Sequence, residues 1–204
     1  MKLYGEAMPA PNPRRVRIFL AEKGLEVPEI KIGMREGGHK SPEHLARNSL
    51  GQVPVLELDD GTTISETVAI CRYFEVLHPS PPMFGVSALE QAMVEMWTRR
   101  IELRLTVPVG MFWRHAHPFT AHLLKQNKEY GESNREVVDR ILMWLDRELA
   151  DGRPYLAGET YTIADIAGQT TLDFADFVGL TTPAEAKNVI AWRERMAMRP
   201  SATA

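Results

Sequence analysis

Gly51-Gln-Val-Pro-Val-Leu-Glu-Leu58, Asp59-Asp-Gly61, Thr62-Thr-Ile64 and Ser65-Glu-Thr-Val-Ala-Ile70 run consecutively, and their reading decides the fold of the first part of the chain. The apolar run through Val55 and Leu56 reads as a strand, Asp59-Asp60-Gly61 as a hairpin turn, and residues 62–64 as an antiparallel return. A helix starts at Ser65 or Glu66 and carries Val68, Ile70, Tyr73, Phe74 and Leu77 on its apolar sides. Upstream, Lys2-Leu-Tyr4 is a short β-like run, followed by Gly5 and a proline-broken loop through Met8 and Pro13. Asn12 suits an N-cap and Pro13 a first helical position. With Val16, Phe19 and Leu20 at helical spacing and Gly24 as a stop, they predict a helix over about 13–23. Residues 27–32 read as a second strand reached by a right-handed crossover, and residues 42–47 as a short helix. The order is β-α-β-α-β-β-α.

The pattern ends at His78-Pro-Ser-Pro-Pro-Met-Phe-Gly-Val86, whose prolines mark a boundary. Beyond it only helical spacing is found: about 88–115, 132–150, 163–178 and 184–198, with Ser87 as a cap. The expected organisation is an α/β domain over 1–79, a linker over 80–87 and an all-α domain over 88–204.

The 204 residues are 44% hydrophobic, ample for a buried core. A net charge of −3 gives no electrostatic reason to expect nucleic acid or an anionic membrane as partner. No apolar run approaches the ~18 residues that span a bilayer. The single cysteine, Cys71, cannot form an internal disulfide. A soluble chain in a reducing cytoplasm is expected. The six histidines show no ligand-spaced cluster with carboxylates, so no metal is expected.

Several residues have both a bland and a chemical reading. Pro54 interrupts a strand, which an edge position explains; a cis Val53–Pro54 bond would instead turn the Val53 backbone outward to pair with an extended peptide. Ser65-Glu66-Thr67 is an ordinary helix start, yet its N–H groups, hydroxyl and carboxylate are also what both charges of an amino-acid headgroup require. His39 and Lys40, in a Gly-Gly loop, are a solvated basic pair or a partner for a carboxylate. Tyr4 and Cys71 read as core.

Together these pieces resemble the cytosolic glutathione transferase family over essentially the whole chain. The matching residues are Leu3-Tyr4, Arg15-Val-Arg-Ile-Phe-Leu-Ala-Glu-Lys-Gly24, His39-Lys40, Asn48-Ser-Leu-Gly-Gln-Val-Pro-Val-Leu56 and Ser65-Glu-Thr-Val-Ala-Ile70, with Tyr161-Thr-Ile-Ala-Asp165 and Trp192 to Pro200 in the helical part. The resemblance implies a thioredoxin-like first domain that binds glutathione. Val53, ahead of a cis Pro54, would pair with the cysteinyl backbone; Glu66 and Thr67 would hold the γ-glutamyl group; and Lys40, with His39 and Gln52, would meet the glycyl carboxylate. Thr162 and Asp165 would form a structural capping box. A homodimer is implied as well.

The chain departs from that family where a Tyr, Ser or Cys commonly stabilises the glutathione thiolate: the position is Ala10, and no Ser, Thr or Cys occurs between Gly5 and Gly24. Three replacements are considered, one of them the Tyr4 phenol, whose place in the first strand reads rather as core. Asn12, at the start of the first helix, lies in an Ala10-Pro-Asn12 loop similar to the Thr-Pro-Asn loop of bacterial nu-class members. Residues 10–18 are similar to an atypical yeast-type class in which helical-domain residues hold an activating water; His115 would hold such a water or act as a base near pH 7. An apolar electrophile would meet Met8, Ala10, Phe112 and Trp113. The expected function is conjugation of the glutathione thiolate to such an electrophile, as in detoxification, with glutathione-dependent disulfide or peroxide reduction, or non-catalytic glutathione binding, as alternatives.

Overall fold

A computed structural model describes residues 1–7 and 10–204, so Met8, one of the expected co-substrate residues, lies outside the described part. The chain forms two compact units, residues 1–83 with 200–204, and residues 84–199. The last five residues therefore belong with the first unit and not, as the sequence suggested, with the helical one. Ser201 is buried and its hydroxyl bonds the Glu22 carboxylate, while the Arg14 guanidinium donates to the Ala202 carbonyl at 2.7 Å.

The first unit runs β1 (Lys2–Gly5), α1 (Pro11–Glu22), β2 (Glu29–Lys31), α2 (Pro42–Arg47), β3 (Val55–Glu57), β4 (Thr63–Ser65) and α3 (Thr67–Leu77). Its four strands lie in the order β2-β1-β3-β4, with β1 and β2 parallel and the other pairs antiparallel. This is the thioredoxin-like arrangement. Leu3, Val16, Phe19, Val55, Leu56, Ile70 and Phe74 form its core because the apolar faces of α1 and α3 have only the sheet and each other to cover them. Cys71 is fully buried among them, and burial pushes its thiol far above the ordinary range, so it is filler and not a nucleophile. Tyr4 is also core. Its hydroxyl donates to Glu57 at 3.1 Å and Arg47 lies 4.2 Å over its ring.

Helix α1 begins earlier than the sequence suggested. Its N-cap is Ala10, in extended conformation, and Asn12 sits in the first turn, making no capping bond. The reason is Pro11, whose fixed φ and missing N–H suit the first helical position as well as Pro13 would. Lys23 closes the other end: its buried ammonium donates to the His78 carbonyl at 2.8 Å and to that of Pro81, and pairs with Glu75. The proline-rich segment is thereby tied down by a charge that Glu75 compensates.

The second unit comprises α4 (Ala88–Ile101), α5 (Val107–His115), α6 (Lys128–Glu148), α7 (Ile163–Phe177) and α8 (Lys187–Ala197). The single helix expected over 88–115 is interrupted by a π turn, Glu102–Thr106, in which the Val107 N–H reaches back to the Glu102 carbonyl. Pro108 accounts for it: with no N–H to give, it would break the ordinary ladder, and the wider turn passes it. Helix α6 starts before residue 132 because Asn127 caps it, accepting from the Tyr130 N–H at 3.2 Å.

Helix α7 is buried almost throughout, and Asp165 in its first turn organises what surrounds it. The fully buried carboxylate accepts from the Leu156 N–H (2.8 Å), the Thr162 N–H (3.0 Å), the Thr162 hydroxyl (3.2 Å) and the Trp192 indole (3.0 Å). Burial pushes its carboxyl up to about 6 against the pull of these donors, so it is ionised at neutral pH. Asp165→Asn turns an amide NH2 against N–H and O–H donors and should lower stability by ~3 kcal/mol. Thermal unfolding checks this, with a midpoint lowered by roughly 6–12 °C at that cost; an unchanged midpoint contradicts it.

Candidate functional site

Strands β3 and β4 pair Val55 with Ser65 and Glu57 with Thr63. Val53 and Pro54 directly precede β3 while Glu66 and Thr67 directly follow β4, so both segments lie at the same end of the hairpin. The hairpin alone therefore brings the two expected ligand-holding segments together. The Val53–Pro54 bond is cis, and no described residue pairs with the Val53 N–H or C=O.

The segment before Val53 is held rigidly. The Gln52 carbonyl accepts from His44 Nε2 (3.0 Å) and Asn48 Nδ2 (3.1 Å), and Asn48 Oδ1 accepts from the Leu50 N–H (3.1 Å). Lys40 donates to the Leu50 carbonyl at 3.2 Å. Gly51 permits this approach: it has φ +60°, and a Cβ there would lie 2.7 Å from both the His39 carbonyl and Lys40 Nζ. His39, Lys40 and Gln52 are thus neighbours. Burial first, then the charges of Lys40 and His44, holds the His39 pKa below its usual value. At neutral pH His39 is uncharged, and Lys40 is the cation offered to an anion here.

On the other side of the register, Glu66 is the one described non-glycine residue with positive φ, at 70°, and it forms the N-cap of α3. Its side chain is exposed, and among the described residues no hydrogen bond or ion pair engages it. A left-handed backbone on a carboxylate-bearing residue carries strain of about 1–3 kcal/mol. Thr67 follows as the first residue of α3, buried, with its hydroxyl accepting from Arg15 at 3.0 Å. An exposed carboxylate beside the free N–H groups of a helix start is complementary to an ammonium and a carboxylate held together.

At the start of α1, Ala10 offers only a methyl group. The helix opens Pro11-Asn12-Pro13, so Asn12 alone of these three carries an N–H; its side chain is exposed and makes no bond to a described residue. The expected residues of the second unit are placed differently. His115 Nδ1 accepts from the Asn127 N–H at 3.3 Å, and its ring meets Tyr130 edge-on. Phe112 is buried beneath Arg135, whose guanidinium lies 4.7 Å over its ring, and Trp113 stacks on Phe119 and meets His117, Phe174 and Phe177. His115 is thus engaged in joining the end of α5 to the start of α6. Among the described residues, no group of three or more His, Cys, Asp or Glu side chains is arranged to hold a metal.

The hydrogen bonds of Arg15, His44 and Asn48 are not foreshadowed by any motif. The signal for Arg15 was a charge on the buried stripe of α1, beside Val16 and one turn before Phe19. His44 and Asn48 act through the Gln52 carbonyl, a backbone group that no residue pattern marks.

Residues 10–77 match the model of the glutathione S-transferase N-terminal domain, and residues 102–200 that of the glutathione S-transferase C-terminal domain. The chain belongs to the glutathione S-transferase family. It is 42% identical over 195 residues, 94% of this chain and 83% of the relative, to glutathione S-transferase 2 of Saccharomyces cerevisiae. The crystal structure of Gtt2 from that yeast superposes with a TM-score of 0.93 at 40% identity, covering 100% of this chain and 99% of the other. The glutathione S-transferase of class Gtt2 from Vibrio parahaemolyticus does so at 0.83 and 34%, covering 98% and 94%. The resemblance to the atypical yeast-type transferases is therefore established. For such a transferase, Glu66→Gly should raise unfolding stability by ~1 kcal/mol by relieving the left-handed backbone while weakening glutathione binding. Denaturant melts and calorimetry read the two separately; a stability loss with unchanged affinity contradicts the assignment.

Proposed function

We infer that this transferase conjugates the glutathione thiolate to an apolar electrophile, with Asn12 in place of the usual hydroxyl as the thiolate's donor. Glutathione is placed by pairing its cysteinyl backbone with Val53, its γ-glutamyl group with Glu66 and the start of α3 at Thr67, and its glycyl carboxylate with Lys40 beside His39, Gln52 and Pro54. The observation that supports this is the β3–β4 register, Val55 opposite Ser65, which brings the segments of Val53 and of Glu66 and Thr67 to one end of the hairpin.

The thiol then has to lose its proton. A free thiol with a pKa near 8.5 is only a few per cent ionised at neutral pH, and each unit of lowering needs about 1.4 kcal/mol of preference for the thiolate. The positive end of a helix supplies about 0.3–1 kcal/mol, too little alone. A hydrogen bond to a charged group contributes about 1.5–3 kcal/mol, enough for one to two units. The Asn12 amide and N–H are the donors that the Pro-Asn-Pro start leaves exposed. The thiolate attacks the electrophilic carbon, the C–S bond forms, and the displaced group departs with its electron pair. His115 has one ring nitrogen already committed to Asn127, which favours Asn12.

A homodimer in the cytoplasm is part of the same reading. Val76 and Leu77 at the end of α3, and Leu89 in α4, are exposed apolar side chains that a partner copy would cover. Disulfide or peroxide reduction and non-catalytic binding are not favoured.

Asn12→Ala should raise the pKa seen in the pH profile of kcat by about one unit and lower kcat at neutral pH roughly tenfold, with the glutathione KM changed less than about twofold. Turnover with a nitro-activated aryl halide across pH measures this. An unchanged pH profile sinks the role of Asn12, and no turnover by the unaltered chain sinks conjugation.

A further inference from the structure

The hydrogen bond between Arg15 and Thr67 joins α1 to α3 beneath the glutamyl end of the site. Both side chains are buried, at 2% and 7% exposure, and Arg15 NH1 lies 3.0 Å from Thr67 Oγ1. A guanidinium can only donate, so the Thr67 oxygen is the acceptor. That fixes the direction of the hydroxyl's own proton, which has to point away from Arg15. No described residue accepts it, although Thr67 is buried and stands at the first position of α3. A hydroxyl that accepts from a cation is polarised into a better donor, and the effect is larger where water is excluded.

We propose that Arg15 is a positioning residue of the glutamyl subsite: it presets the Thr67 hydroxyl as a donor to the ligand's α-carboxylate and so sets the preference for a γ-glutamyl ligand that carries this carboxylate. The inference rests on the glutathione reading above and adds a specificity determinant to it. Arg15 transmits its charge through one hydroxyl and does not touch the ligand. Its burial, beside Val16 and Ile18, keeps that charge from being screened.

Calorimetry of the full chain tests this with two ligands, glutathione and an analogue whose glutamyl α-carboxylate is replaced by hydrogen. The unaltered chain should bind glutathione at least about tenfold more tightly than the analogue. Arg15→Met and Thr67→Val should each remove most of that difference, by weakening glutathione alone, with analogue affinity held within about twofold. The double variant should lose no more than either single one. Thr67→Ser, which keeps the hydroxyl, should keep the discrimination. Equal losses for both ligands would mean a merely structural role and overturn the relay, as would unchanged glutathione affinity. If Arg15→Met does not fold, the Thr67 pair decides: equal discrimination by the Val and Ser variants overturns it. Failure of the unaltered chain to bind glutathione overturns the underlying reading too, and its own titration separates that result from failure of the relay.

Discussion

The candidate site is organised by the antiparallel register of β3 and β4. Because Val55 pairs with Ser65, the residues just beyond the ladder, Val53 and Pro54 on one side and Glu66 and Thr67 on the other, lie at one end of the hairpin. A slip of one residue would turn every side chain of β3 to the other face and exchange the places of Val55 and Leu56, both fully buried as the strand stands. The register is pinned by the turn, where Gly61 adopts φ +85° and the Thr62 N–H bonds Asp60, and by β1, which pairs with β3 on its other edge. The packing that builds the core therefore also places an unpaired peptide backbone next to a helix start.

That placement explains the strain at Glu66. A glycine would fit the left-handed backbone at no steric penalty, yet the chain carries a carboxylate there. Folding stability is given up at the residue whose side chain is exposed and free to meet a ligand. Asp165, with its several donors, and Lys23, with Glu75 and two carbonyls, are by contrast closely engaged. The contrast between these engaged groups and an unsatisfied hairpin end is what sets the site apart from the scaffold.

Much of this was legible in the sequence. The hairpin announced itself by Asp59-Asp60-Gly61, the helices by their spacing, and the family by a pattern of motifs whose order is specific. What was missed has physical causes. Two prolines flanking Asn12 both suit a first helical turn, and sequence cannot say which of them opens it. The π turn at 102–106 follows from one missing N–H at Pro108 that the apolar spacing passes over. Ser201 and Ala202 continue a helical domain in sequence but find their hydrogen-bond partners on α1. The partner of His115 Nδ1 was hidden because the Asn127 N–H is a backbone group twelve residues away.

The central claim is that this transferase ionises the glutathione thiol without a hydroxyl at position 10. Titration of thiolate ultraviolet absorbance, with glutathione bound at saturation to the unaltered chain, tests it most directly. The account predicts a bound-thiol pKa about one to two units below that of the free thiol. Tight binding with an unshifted pKa would contradict it.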